Sequence, residues 1–213
     1  MTVALDTLGE KALPFIEAAN PTHPSLIDAG HLVDELFGFV NVPCGVWIDE
    51  EGIIVRPPET AAPPSAPRPT PPLPDNAPAY VLEARAEANK IRREPEKYMA
   101  ALHDWVAKGA KSRYALPPEE VLARSKPRPI EEALGAAHFE LGQYLYRQGQ
   151  TDLATGHFRQ AHRLQPDNWT YRRQAWSMVT PGQGPTAVYD SDWLNDVRKI
   201  GGGENYYPPL DMD

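Results

Sequence analysis

The sequence predicts two kinds of fold in one chain, a small α/β module followed by an all-α helical domain. Three observations predict it. Residues 1–56 alternate short apolar runs with amphipathic stretches, the pattern of strands exchanging with helices. Residues 57–79 carry ten of the 24 prolines, which favours polyproline II and leaves too few apolar side chains to build a core. Residues 80–180 keep helical periodicity almost throughout, before 181–213 turn rich in Gly, Tyr and Pro, an irregular tail whose aromatics are expected to pack on helices.

Each element has a local reason. "TVALD" (residues 2–6) is a short strand. Residues 9–20 form an amphipathic helix with Leu13, Phe15 and Ile16 on one side, and Pro14 is tolerated in its first turn, where the amide has no helical partner. "HPSLID" is extended, and Gly30 to Phe37 make a second helix with Leu32, Val33, Leu36 and Phe37 apolar. A hairpin follows, in which Val46 and Ile48 alternate with Trp47 and Asp49. "DEEG" turns the chain, since glycine takes positive φ freely. The proline stretch reads as a semi-rigid spacer, PxxP spacings such as Pro71 to Pro74 included. "YVLEARAEANKIRR" and "PEKYMAALHDWVAKGA" are two helices and "LPPEEVLARS" a short third. "PIEEALGAAHFELGQYLYRQGQ" and "TDLATGHFRQAHRLQ" fold back at Gly149, and Asp167 or Asn168 caps the helix beyond.

Charge and composition exclude several functions. The net charge is −8, and residues 1–56 hold nine acidic side chains against Lys11 and Arg56. Binding to a phosphate backbone needs clustered Lys and Arg, so no nucleic-acid partner is expected. No apolar run approaches the ~20 residues of a membrane span, and "MTVALDTLGEKAL" lacks a basic region leading an apolar one. The expected place is therefore the cytoplasm. A single cysteine makes no internal disulfide, CxxC pair or thiolate zinc site. The six histidines show no metal pattern, His157 and His162 being five apart and on different faces. Asp49-Glu50-Glu51 reads as a solvated turn. No catalytic residue, cofactor or metal is expected from these residues.

Gly135 to Asn168 resembles one tetratricopeptide repeat. With Pro166 as the closing proline, Leu141-Gly142 is the helix-A pair where the partner helix comes close. Ala154 is then the small crossing residue, and Phe158 and Ala161 the knob and hole of helix B. His138 and Leu145 stand where the family has Trp and Tyr. One repeat does not bury its own faces, so the flanking stretches Tyr98–Trp105 and Trp169–Trp176 are expected to supply the missing cover. The resemblance implies a protein or peptide partner on the concave helix-A surface, here Phe139, Gln143, Tyr146 and Arg147. The family's carboxylate clamp is absent, because Phe139 and Gln143 hold the places of its Lys and Asn.

Residues 2–57 resemble the second half of a thioredoxin fold, in the manner of the bacterial TlpA/ResA-type proteins. The carriers are "VALD", an amphipathic helix, "HPSLIDAGHLVDELFGFVNVP" and "GVWIDEEGIIVRP". The resemblance implies that Pro43 follows a cis bond and that Val42 and Pro43 present their backbone to a substrate peptide. It also places the family's CxxC dithiol ahead of the "VALD" strand, on a helix these residues do not contain. In that topology the strand leading to the dithiol lies between "VALD" and "GVWID". The chain then reads as a redox-associated or protein-interaction module without its own dithiol; the alternative is a disulfide oxidoreductase whose CxxC half lies upstream or on a partner chain. Cys44 is the candidate thiol, but its neighbours supply no cation to lower its pKa, so it reads as a small hydrophobe beside the hairpin.

Overall fold

A computed structural model describes residues 1–61, 63, 72–74, 76–125, 127–179 and 188–213. The spacer residues 62, 64–71 and 75, the start of the tail at 181–187 and the Pro71 spacing lie outside these. The chain forms two compact units, Met1–Val40 with Pro127–Asp190, and Asn41–Lys126 with Ser191–Asp213. The first division thus falls between Val40 and Asn41, ahead of the hairpin, and not at the expected residue 56.

In the first unit, β1 (Thr2–Leu5) pairs in parallel with β2 (Ser25–Asp28). The crossover between them contains α1 (Leu13–Ala19), which opens near Pro14 and stops at Asn20 with φ 43°. α2 (Leu32–Phe37) starts after His31, at φ 58°, and ends at Gly38. Both helices are shorter than expected, and α1 buries none of its side chains. The buried residue of α2 is Asp34, while Leu32 and Leu36 lie exposed. α6 (Ile130–Arg147) and α7 (Thr151–Leu164) form the helical hairpin, turning at Gly149 with φ 74°. α8 (Trp169–Val179) packs on α7. Its cap is Asn168, whose Oδ1 accepts from the Tyr171 amide at 3.1 Å.

In the second unit, β3 (Cys44–Ile48) and β4 (Ile54–Thr60) form an antiparallel sheet of their own. Among the described residues, no hydrogen-bonded ladder joins this pair to β1–β2. The strand β4 runs through Pro57 and Pro58, so the first prolines assigned to the spacer belong to the sheet. The Val42–Pro43 bond is cis, the geometry the resemblance implied. The pair is irregular around Trp47, and the inward side chain is Trp47 itself, at 3% exposure, whereas Ile48 lies in solvent. At the turn, Asp49 Oδ1 accepts from the Glu51 and Ile53 amides and Gly52 sits at φ 81°.

Helices complete this unit: α3 (Ala79–Ala88), α4 (Pro95–Lys108), α5 (Pro118–Arg124) and α9 (Trp193–Lys199). α3 ends five residues before the expected Arg93, and the chain is already non-helical at Glu94, where the residue before a proline is pushed out of the α region. The tail is not irregular throughout. α9 is capped by Asp192, whose side chain accepts from the Asn195 amide at 3.1 Å, and it packs on α3. Leu210 and Met212 join Trp47, Ala61, Tyr98 and Ala101 in the unit's core. α4, expected to cover the repeat, gives its apolar face to this core: Trp105 stacks on Trp47 with ring centres 4.9 Å apart. No described helix is long and apolar enough to cross a membrane.

Candidate functional site

The repeat is held together by small residues. A Cβ on Gly142 would stand 2.7 and 2.8 Å from two ring carbons of Phe158, so glycine is what lets α6 and α7 approach. Ala154 and Ala161 are buried beside it. At the open end, Gln165 Nε2 donates to the Glu132 carbonyl at 2.7 Å. α8 adds Tyr171, whose ring stacks on Phe139 with centres 4.1 Å apart.

The four expected helix-A positions divide into two pairs. Phe139 and Gln143 are 2% and 0% exposed. Gln143 donates to Thr7 Oγ1 at 2.8 Å, and the His31 ring meets Phe139 edge-on at 5.1 Å. The unit's own N-terminal residues occupy that part of the surface. His31 is held in place by Asp34, Nδ1 to Oδ2 3.0 Å, both side chains buried. Tyr146 is half-buried, its hydroxyl donating to the Met178 carbonyl at 3.4 Å, and Arg147 is exposed. Beside Tyr146 runs a groove of about 510 Å3, lined among others by Asp152, Thr155, Phe158, Arg159 and Met178. The hairpin also brings together two histidines that sequence spacing did not connect, His138 and His157, with Nδ1 atoms 2.8 Å apart. Their residues lie 19 apart, and only the antiparallel return of α7 makes them neighbours. Among the described residues no group of three or more His, Cys, Asp or Glu is arranged to hold a metal.

The Val42-Pro43-Cys44 stretch lies in the second unit, and its backbone is already engaged. The Val42 amide donates to Asn41 Oδ1 at 2.9 Å, and the Val42 carbonyl accepts from the Tyr207 hydroxyl at 2.6 Å. Asn41 in turn donates to the Tyr206 carbonyl at 3.1 Å, and the Pro43 carbonyl accepts from the Ala61 amide at 3.1 Å. The tail's aromatics were expected to pack on helices, and composition gave no sign that Tyr207 would instead meet the Val42 backbone. Cys44 pairs with Thr60 across the hairpin. Burial pushes its thiol up to about 12, with the Glu59 carboxylate adding a smaller upward push against the opposing Gly45 amide. Such a thiol stays protonated near neutral pH and is a poor nucleophile.

A tetratricopeptide-repeat model matches residues 135–168, the segment in which α6 and α7 fold back on each other. No curated protein and no solved structure matches the chain. The repeat points to protein partners.

Proposed function

We propose that the chain is a protein-interaction module whose repeat takes an extended peptide segment along Tyr146 and Arg147. The match at 135–168, on a hairpin backed by α8, carries this reading. With Phe139 and Gln143 committed to the unit's interior, recognition falls to the C-terminal end of α6 and the adjoining groove. That groove sets apolar Phe158 and Met178 beside the polar side chains of Asp152 and Thr155, a mixture suited to a peptide that needs both burial and hydrogen bonds. Peptides selected on the protein from a displayed random library are expected to lose at least about tenfold in affinity on Tyr146→Ala with Arg147→Glu, or about 1.4 kcal/mol. Unchanged affinity in a variant of wild-type helicity would refute this reading.

A second reading follows the order of elements: a parallel pair with a crossover helix, a Val-Pro step, then an antiparallel hairpin. In it the N-terminal residues and the hairpin are a thioredoxin-like, redox-associated part. Val42 and Pro43 face a client, and a dithiol comes from upstream or from a partner chain. The raised thiol of Cys44 and the occupied backbone of Val42 give the chain alone no redox centre. Native Cys44 is therefore expected to resist alkylation at pH 8 and to react at the rate of a free thiol once the protein is unfolded. Intact-mass measurement over time checks this, and fast alkylation of the folded protein would restore Cys44 as a redox candidate.

A further inference from the structure

Residues 210–213 lie on the second unit as a bound peptide lies on a receptor. Leu210 and Met212 are 8% and 3% exposed and share the core of Trp47, Tyr98 and Ala101. Asp211 and Asp213 stay in solvent, their side chains 70% and 95% exposed. Burial at every second residue marks extended chain, yet among the described residues no strand pairs with this stretch. Side chains of the unit take the place of a ladder. The Leu210 amide donates to Glu94 Oε2 at 3.1 Å, the Leu210 carbonyl accepts from Lys97 Nζ at 3.0 Å, and the Asp211 carbonyl accepts from Arg56. Two exposed prolines, Pro208 and Pro209, separate the stretch from Tyr207, whose hydroxyl is tied to Val42. Release of residues 210–213 therefore leaves the hydrogen bonds of β3, β4 and α4 intact, the condition for a local opening.

Charge defines the occupant as closely as shape does. Arg124 Nη1 stands 2.8 Å from Asp211 Oδ2, and Lys97 Nζ stands 2.7 Å from Asp213 Oδ1. Each acidic side chain thus has its own cation, in a protein of net charge −8. Each cation also has a carboxylate close by in the chain, Glu120 at 2.7 Å for Arg124 and Glu94 at 3.9 Å for Lys97. Those carboxylates keep the cations in position when the segment leaves, so the groove is largely preformed. Exposed ion pairs add little affinity, but they fix register and reject a partner of the wrong sign. The two apolar anchors supply the burial. All of these residues belong to the second unit, so the site is independent of the repeat.

We propose that the groove on the β3–β4 hairpin and α4 recognises an extended segment in which two apolar residues alternate with two acidic ones. Residues 210–213 are its built-in occupant, and a partner protein carrying such a segment replaces them. The probe is a labelled synthetic peptide copying residues 208–213. It is offered to the full chain carrying Leu210→Ser with Met212→Ser, whose own segment no longer anchors. Fluorescence anisotropy is expected to show binding at least about tenfold tighter than to the wild type, where the groove is open only in the released fraction. The peptide is also expected to raise the melting temperature of the variant. Asp211→Lys with Asp213→Lys in the peptide should weaken binding about tenfold, because like charges then meet. Lys97→Glu with Arg124→Glu in the opened chain should reverse that preference. Where the double serine variant does not fold, Met212→Ala alone opens the groove more gently, with a smaller difference in the same direction. Equal binding to the wild-type and opened chains places the peptide outside the groove and overturns the proposal. A folded, opened chain that fails to bind overturns it too. So does binding indifferent to the exchange of charges, which would reduce the stretch to ordinary core packing.

Discussion

Trp47→Ala is expected to cost about 3–5 kcal/mol of folding free energy, the usual range for truncating a buried aromatic. The ring is packed on one side by Trp105, meets Tyr98 edge-on at 6.2 Å, and lies under the Arg56 guanidinium at 5.6 Å. Its indole N–H also donates to the Tyr98 hydroxyl at 3.3 Å. Alanine removes the contact surface and opens a cavity between the sheet and α4, while Leu210 and Met212 lose the floor they rest on. Domains of this size are stable by only about 5–15 kcal/mol, so the loss is a large share of the total. Trp47→Phe keeps an aromatic surface for Trp105 and forfeits chiefly the hydrogen bond, so a smaller loss of about 1 kcal/mol is expected. Denaturant unfolding of the two variants measures both, and equal losses would contradict the packing account.

Gly142→Ala sets two effects against each other. Helix propensity favours alanine over glycine by about 0.5–1 kcal/mol. The new methyl would stand within 3 Å of two Phe158 ring carbons, and forcing atoms into a packed core costs about 1–3 kcal/mol. Overlap wins, so the variant is expected to melt lower. Gly156, on α7, is the control, because nothing lies within 4 Å of its Cβ position. Gly156→Ala is therefore expected to gain the propensity term and melt higher. A thermal melt of each decides the matter. A stabilised Gly142→Ala would mean that the two helices do not meet at Phe158.

These two residues also mark what could be read from the sequence. Gly142, Ala154, Phe158 and Ala161 announced a helical hairpin because close helix contact needs small residues at fixed steps, and that rule is local. Gly149 at the turn and Asn168 at the cap were legible for the same reason: each satisfies a backbone requirement set by its immediate neighbours. The hairpin turn from Asp49 to Gly52 belongs with them. Alternation alone did not say whether the inward face of β3 carries Ile48 or Trp47. Irregular pairing beside it breaks the period-two rule that such an assignment rests on.

The candidate site was legible only by half. Family spacing located Phe139, Gln143, Tyr146 and Arg147 on α6, but not that Thr7 and His31 would bury the first two. His138 and His157, and Tyr207 with Val42, are pairings of residues far apart in the chain. No local pattern encodes them.

The sequence by itself determined the turn at Gly149 and the cap at Asn168, which positions of α6 and α7 must be small, and that faces of α4, α6 and α8 are apolar. Tertiary structure decided what each face meets. It gave α4 to the β3–β4 hairpin, set Phe139 under the N-terminal residues, drew Leu210 and Met212 into a core, and left Leu134 and Leu141 of α6 exposed. The reason is physical. Backbone hydrogen bonding and steric limits act between near neighbours and leave a mark in local sequence, whereas the hydrophobic effect has no direction. It rewards the burial of an apolar face and is indifferent to which partner buries it.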